Sequence, residues 1–139
     1  DLWDLRADRL VLPEDASRFE YTTIHFGAAL GLAAAIEELV EIGMEEVWRH
    51  DLELVDSLVR GISGMEVEIS SPMSEDERSA IVSLSLPSGT SSVDVADRLQ
   101  SEYSILVTSR SGLLRVSPHI DNSLEDIESL VSALGEILS

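Results

Sequence analysis

Two arginines near the end of the chain are the residues best suited to chemistry. Arg110 lies in the turn region before Gly112, and Arg115 lies between apolar residues in LLRVS, a segment typical of a β-strand. A guanidinium can grip a carboxylate through two parallel hydrogen bonds, which an ammonium cannot do. Both arginines are therefore candidate ligands for an anion. An ordinary ion pair is the simpler alternative, because 27 acidic residues face 9 basic ones.

The three histidines do not form a metal-binding pattern. His25 lies at the start of a predicted helix, His50 lies inside another, and His119 follows a proline at a strand end. No two have a metal-ligand spacing, and the H-E-x-x-H motif is absent. Phosphate-binding glycine motifs and the G-x-S-x-G motif of hydrolases are also absent. We predict no metal site and keep His25 and His119 as secondary candidates for binding.

The charge and composition exclude several classes of function. The formal net charge is -18, so we expect neither nucleic acid nor a membrane as a partner. All nine basic residues are arginine, and this acid-rich, lysine-free composition is typical of proteins from high-salt cytoplasm. The absence of cysteine excludes disulfides and leaves the cytoplasm as the default location. Without lysine the chain cannot form an internal Schiff base with a carbonyl cofactor.

Hydrophobic periodicity predicts the elements that must position these residues. Helices are predicted over 24–40 and 44–62, then after Ser91 or Ser92, and finally after an Asn122-Ser123 cap. Strands are predicted over 65–69, 80–86, 104–108 and 113–117, with a turn at Ser111-Gly112. This order predicts an α+β fold, in which helices cover a small, largely antiparallel sheet. Residues 1–23 are expected to be a lead-in segment, and 24–139 a single domain.

Three segments of the chain are informative together: RFEYTT, GLAAAIEEL and LRVSPHIDNSLEDI. They resemble the C-terminal part of class V aminotransferases and follow the family's order over nearly the whole chain. This pyridoxal-phosphate family includes cysteine desulfurases and isopenicillin-N-epimerase-like enzymes. The closing segment is the most specific part, with Arg115, Ser117, Pro118-His119 and Asn122-Ser123 in the family's positions.

The resemblance implies that this chain is the small domain of a dimeric enzyme. The large domain, which carries the Schiff-base lysine, lies outside it, so the isolated chain is expected to be inactive. In that family the arginine matching Arg115 grips the α-carboxylate of an amino-acid substrate. The threonine matching Thr23 reaches the phosphate of pyridoxal phosphate, commonly across a homodimer interface.

The chain also departs from the family's pattern. Thr22 stands where the family usually has glycine, and Asp121 replaces the usual tyrosine. No cysteine precedes Gly112, which disfavours a desulfurase with its own persulfide cysteine and leaves aminotransferase, epimerase-like and lyase-like members open.

A second hypothesis is a free-standing, non-catalytic module that binds an amino acid or a protein. The smooth helix face around Gly27 and Gly31 would let another element approach closely, which suits either hypothesis. The order of elements disagrees with the βαββαβ order of ferredoxin-like ligand-binding domains.

Overall fold

A computed structural model describes residues 14–19 and 23–139 of the chain. Backbone contacts divide the chain into two compact units, with the boundary between Glu41 and Ile42. The predicted limit of the lead-in segment, at residue 23, stays a prediction. Within the two described ranges, no helix is long and apolar enough to cross a membrane.

The first unit has two helical elements in its described part. A short 3-10 helix covers Ala16–Phe19, and helix α1 covers Phe26–Ile42, of which the last residue falls in the second unit. α1 begins two residues later than predicted because His25 caps it. The backbone N–H of Ala28 donates to Nδ1 of His25 at 3.0 Å, and that of Ala29 donates to the His25 carbonyl at 3.1 Å. The sequence of α1 is apolar on nearly all sides, which is typical of helices inside larger proteins. Nevertheless, no residue of α1 is buried.

The second unit contains three helices and four strands. They are α2 Met44–Ile62, β1 Glu68–Ile69, β2 Val82–Ser85, α3 Ser92–Tyr103, β3 Thr108–Arg110, β4 Leu113–Val116 and α4 Leu124–Leu138. The sheet has the strand order β1-β2-β4-β3, and all neighbouring strands are antiparallel. The predicted α+β class, with a small antiparallel sheet and helices, is confirmed.

One face of the sheet packs against the helices. Successive strand residues point to opposite faces, and the inward residues of β2 and β4 are buried: Val82, Leu84, Leu114 and Val116. Leucines of all three helices complete the core. The most deeply buried of these are Leu54, Leu58, Leu99 and Leu134. A branched aliphatic core of this kind agrees with a composition that is only 4% aromatic.

Two of the predicted helix caps are present. The Ser91 hydroxyl accepts a hydrogen bond from the Asp94 N–H at 3.2 Å at the start of α3. Ser123 and Asp126 form a reciprocal capping box at the start of α4. Each cap satisfies backbone donors that have no partner inside the helix.

The β3–β4 hairpin lies later in the sequence than predicted. Its two-residue turn is Ser111-Gly112, as expected, and both residues have positive φ angles of 53° and 81°. Such a turn matches the twist of an antiparallel pair. β3 covers Thr108–Arg110 rather than 104–108, so the placement of Arg110 in the turn was wrong. Arg110 is the last residue of the strand.

The chain before β3 is occupied by the end of α3. Ser104 adopts a left-handed conformation with φ 60°, and the Ile105 N–H donates to the Leu99 carbonyl at 3.0 Å. This C-terminal capping arrangement uses backbone groups that a strand would have needed. Ile105 and Val107 still pack against the core, which explains their strand-like alternation in the sequence.

Candidate functional site

The two candidate arginines lie on the face of the sheet opposite the packed helices. β4 pairs with both neighbours, and Arg115 stands opposite Ser83 on one side and Thr108 on the other. Because side chains alternate along a strand, burial of Leu114 and Val116 directs Arg115 to the second face. We call this second face the open face. Its residues are Glu68, Ser83, Ser85, Thr108, Arg110, Leu113 and Arg115, and all are exposed or half-exposed.

Arg115 is half-buried and has no ion-pair partner in the part of the chain that the structure describes. Its Nε atom is buried and makes no hydrogen bond to any described residue. A buried donor without an acceptor costs about 1–3 kcal/mol. The ordinary ion pair that the sequence suggested as the simpler alternative is therefore not found in the described residues. A guanidinium in this situation can accept an anion from outside the chain.

Arg110 shares the open face with Arg115. It stands opposite Leu113 and two residues along β3 from Thr108, the direct partner of Arg115. Arg110 is exposed and also forms no ion pair with a described residue. The structure thus brings together two of the predicted site residues that the sequence separated into a turn and a strand.

His119 is held by a buried aspartate that was not among the predicted site residues. Its Nδ1 lies 2.9 Å from Oδ2 of Asp51 in α2. A carboxylate can only accept, so the Nδ1 proton of His119 is donated to Asp51. The Asp51 side chain is 7% exposed and its Oδ1 atom has no described partner, whereas the His119 side chain is 50% exposed. The pair fixes the ring, and Nε2 makes no hydrogen bond to a described residue, so it is the nitrogen available to a ligand.

A second contact ties the same loop to α2. The Nε2–H of His50 donates to the backbone carbonyl of Asn122 at 2.9 Å, and Asn122 accepts the His119 N–H on Oδ1 at 3.1 Å. The loop between β4 and α4 is therefore fixed by two neighbouring residues of one helix. The signal in the sequence was Asp51 itself, an acid within the apolar stripe of α2.

Thr23 and His25 lie in the first unit, whereas the arginines lie in the second. Thr23 is exposed and lies three residues before the first residue of α1. His25 forms the α1 cap described above, and its role as a ligand stays a prediction. In the described ranges no group of three or more His, Cys, Asp or Glu residues could hold a metal ion.

Comparison with known proteins places this arrangement in a family. A sequence model described as "Aminotransferase class-V" matches residues 4–130. A probable cysteine desulfurase from Pyrococcus abyssi is 31% identical over 140 aligned positions, which cover 91% of this chain and 34% of that protein.

Solved structures agree with this match. The apo cysteine desulfurase from Thermococcus onnurineus NA1 has a TM-score of 0.81 and 31% identity, over 97% of this chain and 36% of that chain. Alanine–glyoxylate aminotransferase from Nostoc sp. shares the fold, with a TM-score of 0.68 and 20% identity over 90% of this chain and 34% of that chain. The chain thus spans about a third of the length of these relatives.

Proposed function

Because this chain belongs to the class V aminotransferase family, we propose that it forms the part of a pyridoxal-phosphate enzyme that holds the carboxylate of an amino-acid substrate. The single observation that carries the proposal is Arg115. It is a half-buried guanidinium with a buried, unpartnered Nε and no described ion pair, in a chain of net charge -18.

Arg115 is well placed to orient a substrate. The β4 backbone is paired on both sides, so the Cα of Arg115 is fixed by two strands. A guanidinium that binds both oxygens of a carboxylate also fixes the plane of that group. This restricts rotation about the α-carbon, and holding a reacting group in one orientation is a major source of rate enhancement. The proposed role of Arg115 is therefore binding and orientation, with no proton transfer.

Pyridoxal phosphate is the cofactor that family membership implies for the full-length protein. When bound, it supplies an electron-withdrawing ring for chemistry at the α-carbon of the substrate. Thr23 could help to bind the phosphate of this cofactor, because it is exposed and lies just before a 17-residue helix whose amino-terminal end favours phosphate. We propose that the Thr23 hydroxyl donates to the phosphate. The chain contains no lysine, so a covalent anchor for the cofactor must come from residues outside it.

The type of reaction is constrained by what the chain cannot supply. The two relatives at 31% identity carry the name cysteine desulfurase. This chain has no cysteine, so a sulfur-accepting thiol would have to come from residues outside it. An aminotransferase, an epimerase-like or a lyase-like reaction needs no such thiol from this part of the protein.

We also propose that the full-length protein is a homodimer. Support comes from α1, where Phe26, Leu30, Leu32, Ile36 and Val40 are all largely exposed. Contiguous apolar surface of this kind marks an interaction site, and either the large domain or a second subunit would cover it. The high-salt cytoplasm stays a prediction from composition.

The carboxylate role can be tested in the full-length protein loaded with pyridoxal phosphate. We expect Arg115→Ala to weaken binding of L-alanine roughly 10- to 100-fold, the cost of losing hydrogen bonds to a charged group. Binding of ethylamine, which lacks the carboxylate, should be unchanged, and the cofactor should be retained. Arg60→Ala is the matched control, because Arg60 is an exposed arginine in the last turn of α2 and lies off the sheet. If Arg115→Ala left the preference for L-alanine over ethylamine unchanged, the proposal would be refuted.

A further inference from the structure

The register of the β3–β4 hairpin makes Arg110 and Arg115 diagonal neighbours on the open face. Arg115 pairs with Thr108, and Arg110 follows Thr108 by two residues on the same face of β3. Diagonal neighbours of this kind lie roughly 7–8 Å apart, within reach of long side chains. Two guanidiniums on flexible stems can therefore approach one small ligand together.

The open face gathers positive charge in a strongly acidic chain. Three other arginines in the described ranges are paired: Arg49 with Glu46 and Glu53, Arg78 with Asp56, and Arg98 with Glu102. By contrast, no described carboxylate pairs with either arginine of the open face. Arg60, in the last turn of α2, also forms no ion pair with a described residue, so what distinguishes Arg110 and Arg115 is their neighbouring position on one face of the sheet.

The one acid among the residues of the open face lies at the opposite edge of the sheet from Arg110. Glu68 stands opposite Ser85 on β1, at the other edge of the sheet from β3. Strands are about 4.8 Å apart, so three strand spacings separate Glu68 from Arg110 by about 14 Å. Like charges directly opposite each other destabilise a sheet, and two cations at diagonal positions also repel each other unless an anion lies between them. The arrangement therefore suits an anionic ligand with more than one negative group.

We propose that Arg110 determines substrate specificity by binding a second anionic group, so that the substrate is an amino acid with an acidic side chain. This inference rests on the proposed function, in which Arg115 binds the α-carboxylate. The different roles of Arg115 and Arg110 follow from how deeply each side chain is buried. Arg115 is half-buried on the inner strand β4, whereas Arg110 is exposed on the edge strand β3. Arg110 therefore meets the end of the substrate that extends away from the reacting α-carbon.

The test compares acidic amino acids with their neutral amides in the full-length protein loaded with pyridoxal phosphate. L-aspartate and L-asparagine have nearly the same shape, as do L-glutamate and L-glutamine, and differ in the side-chain charge. We expect the wild type to bind at least one acid about tenfold or more tightly than its amide. Arg110→Gln should remove that preference and leave binding of the amide unchanged, whereas Arg110→Lys should keep part of it. Arg60→Gln should have no effect.

Several outcomes would overturn the inference. The wild type could fail to prefer either acid over its amide, or Arg110→Gln could weaken acid and amide equally, which would indicate a structural role. A carboxylate from elsewhere in the full-length protein could occupy Arg110, and then Arg110→Gln would lower the melting temperature without changing either affinity. Failure of the proposed function looks different, because Arg115→Ala would then leave binding of every amino acid unchanged.

Discussion

Gly61 tests how closely helices α2 and α4 approach. It lies in the last turn of α2, and a Cβ atom at this position would be 2.6 Å from Cγ2, 3.0 Å from Cγ1 and 3.3 Å from Cβ of Val131 in α4. A real Cβ atom is essentially never found within 3.0 Å of another side-chain carbon, so Gly61→Ala requires a shift of Val131 or of the backbone. Valine has one strongly preferred rotamer in a helix. Rotating Val131 would also leave its own Cβ in tight contact, so the strain falls partly on the backbone.

The magnitude follows from two opposing effects. Alanine in place of glycine inside a helix stabilises by about 0.5–1 kcal/mol. Inserting a methyl group into a packed contact costs about 1–3 kcal/mol. Because the packing cost exceeds the gain in helix stability, we expect Gly61→Ala to lower the free energy of unfolding by about 1 kcal/mol.

Gly135 provides the matched control. It lies inside α4, and its nearest neighbour for an added Cβ is the flexible Cε end of Met65 at 3.5 Å, which is an ordinary contact. Gly135→Ala should therefore keep the helix gain and stabilise by about 0.5–1 kcal/mol. Urea unfolding of both variants measures the difference, which should appear as opposite shifts of the midpoint at unchanged slope.

A double variant separates the clash from any other effect. Val131→Ala removes both Cγ atoms and leaves the Cβ contact at 3.3 Å, so Gly61→Ala in that background should lose most of its destabilising effect. We expect a coupling free energy of about 1–2 kcal/mol between the two positions. If Gly61→Ala were as stable as the parent protein, or the two changes were additive, the close α2–α4 contact described here would be refuted.

Two further predictions concern the loop and cap that follow β4. His119→Ala should destabilise the protein by about 1–3 kcal/mol, because it leaves the buried Asp51 carboxylate without its described partner. Adding Asp51→Leu to this variant should restore the stability measured by urea unfolding. An unchanged urea midpoint for His119→Ala would contradict the pairing. Hydrogen bonds from the Ser123 backbone and hydroxyl hold the pKa of Asp126 below its usual value. A carboxyl group whose pKa is lowered in the folded state stabilises the protein at pH values above its unfolded pKa of about 4. This contribution to stability is lost as the pH falls below that value. The stability difference between the parent and Asp126→Asn should therefore be constant above about pH 5 and shrink toward pH 3, and a difference that grew on acidification would refute the capping box.

Much of the fold could be predicted from local patterns. Helix α2 was predicted to its last residue, because its hydrophobic periodicity is a local property of the chain. Caps at Ser91 or Ser92 and at Asn122-Ser123, and the Ser111-Gly112 turn, were predicted for the same reason, since each depends on interactions between residues close in sequence. In the structure the capping residues are Ser91 and Ser123. The likeness of the closing segment to class V aminotransferases was also available from the residues alone and agrees with the family match.

Strand limits could not be predicted in this way. β1 has two ladder residues rather than the expected five, and β3 begins at the last residue of its predicted range. Alternation of apolar residues reports burial, and Ile105 and Val107 are packed against the core without any ladder. Whether such residues become a strand depends on partners distant in sequence, which local periodicity does not contain.

For the candidate site as well, some features could be predicted from the sequence and others depended on contacts between distant residues. The sequence by itself identified Arg115, because a lone cation in an apolar strand and the family's order of residues are both visible in the printed chain. Only the tertiary structure paired Asp51 with His119, residues 68 positions apart, and only the β3–β4 register placed Arg110 on the same face as Arg115. The physical reason is that residue type and spacing decide what a side chain can do. The register of strands and the packing of helices decide which side chains can act on the same ligand.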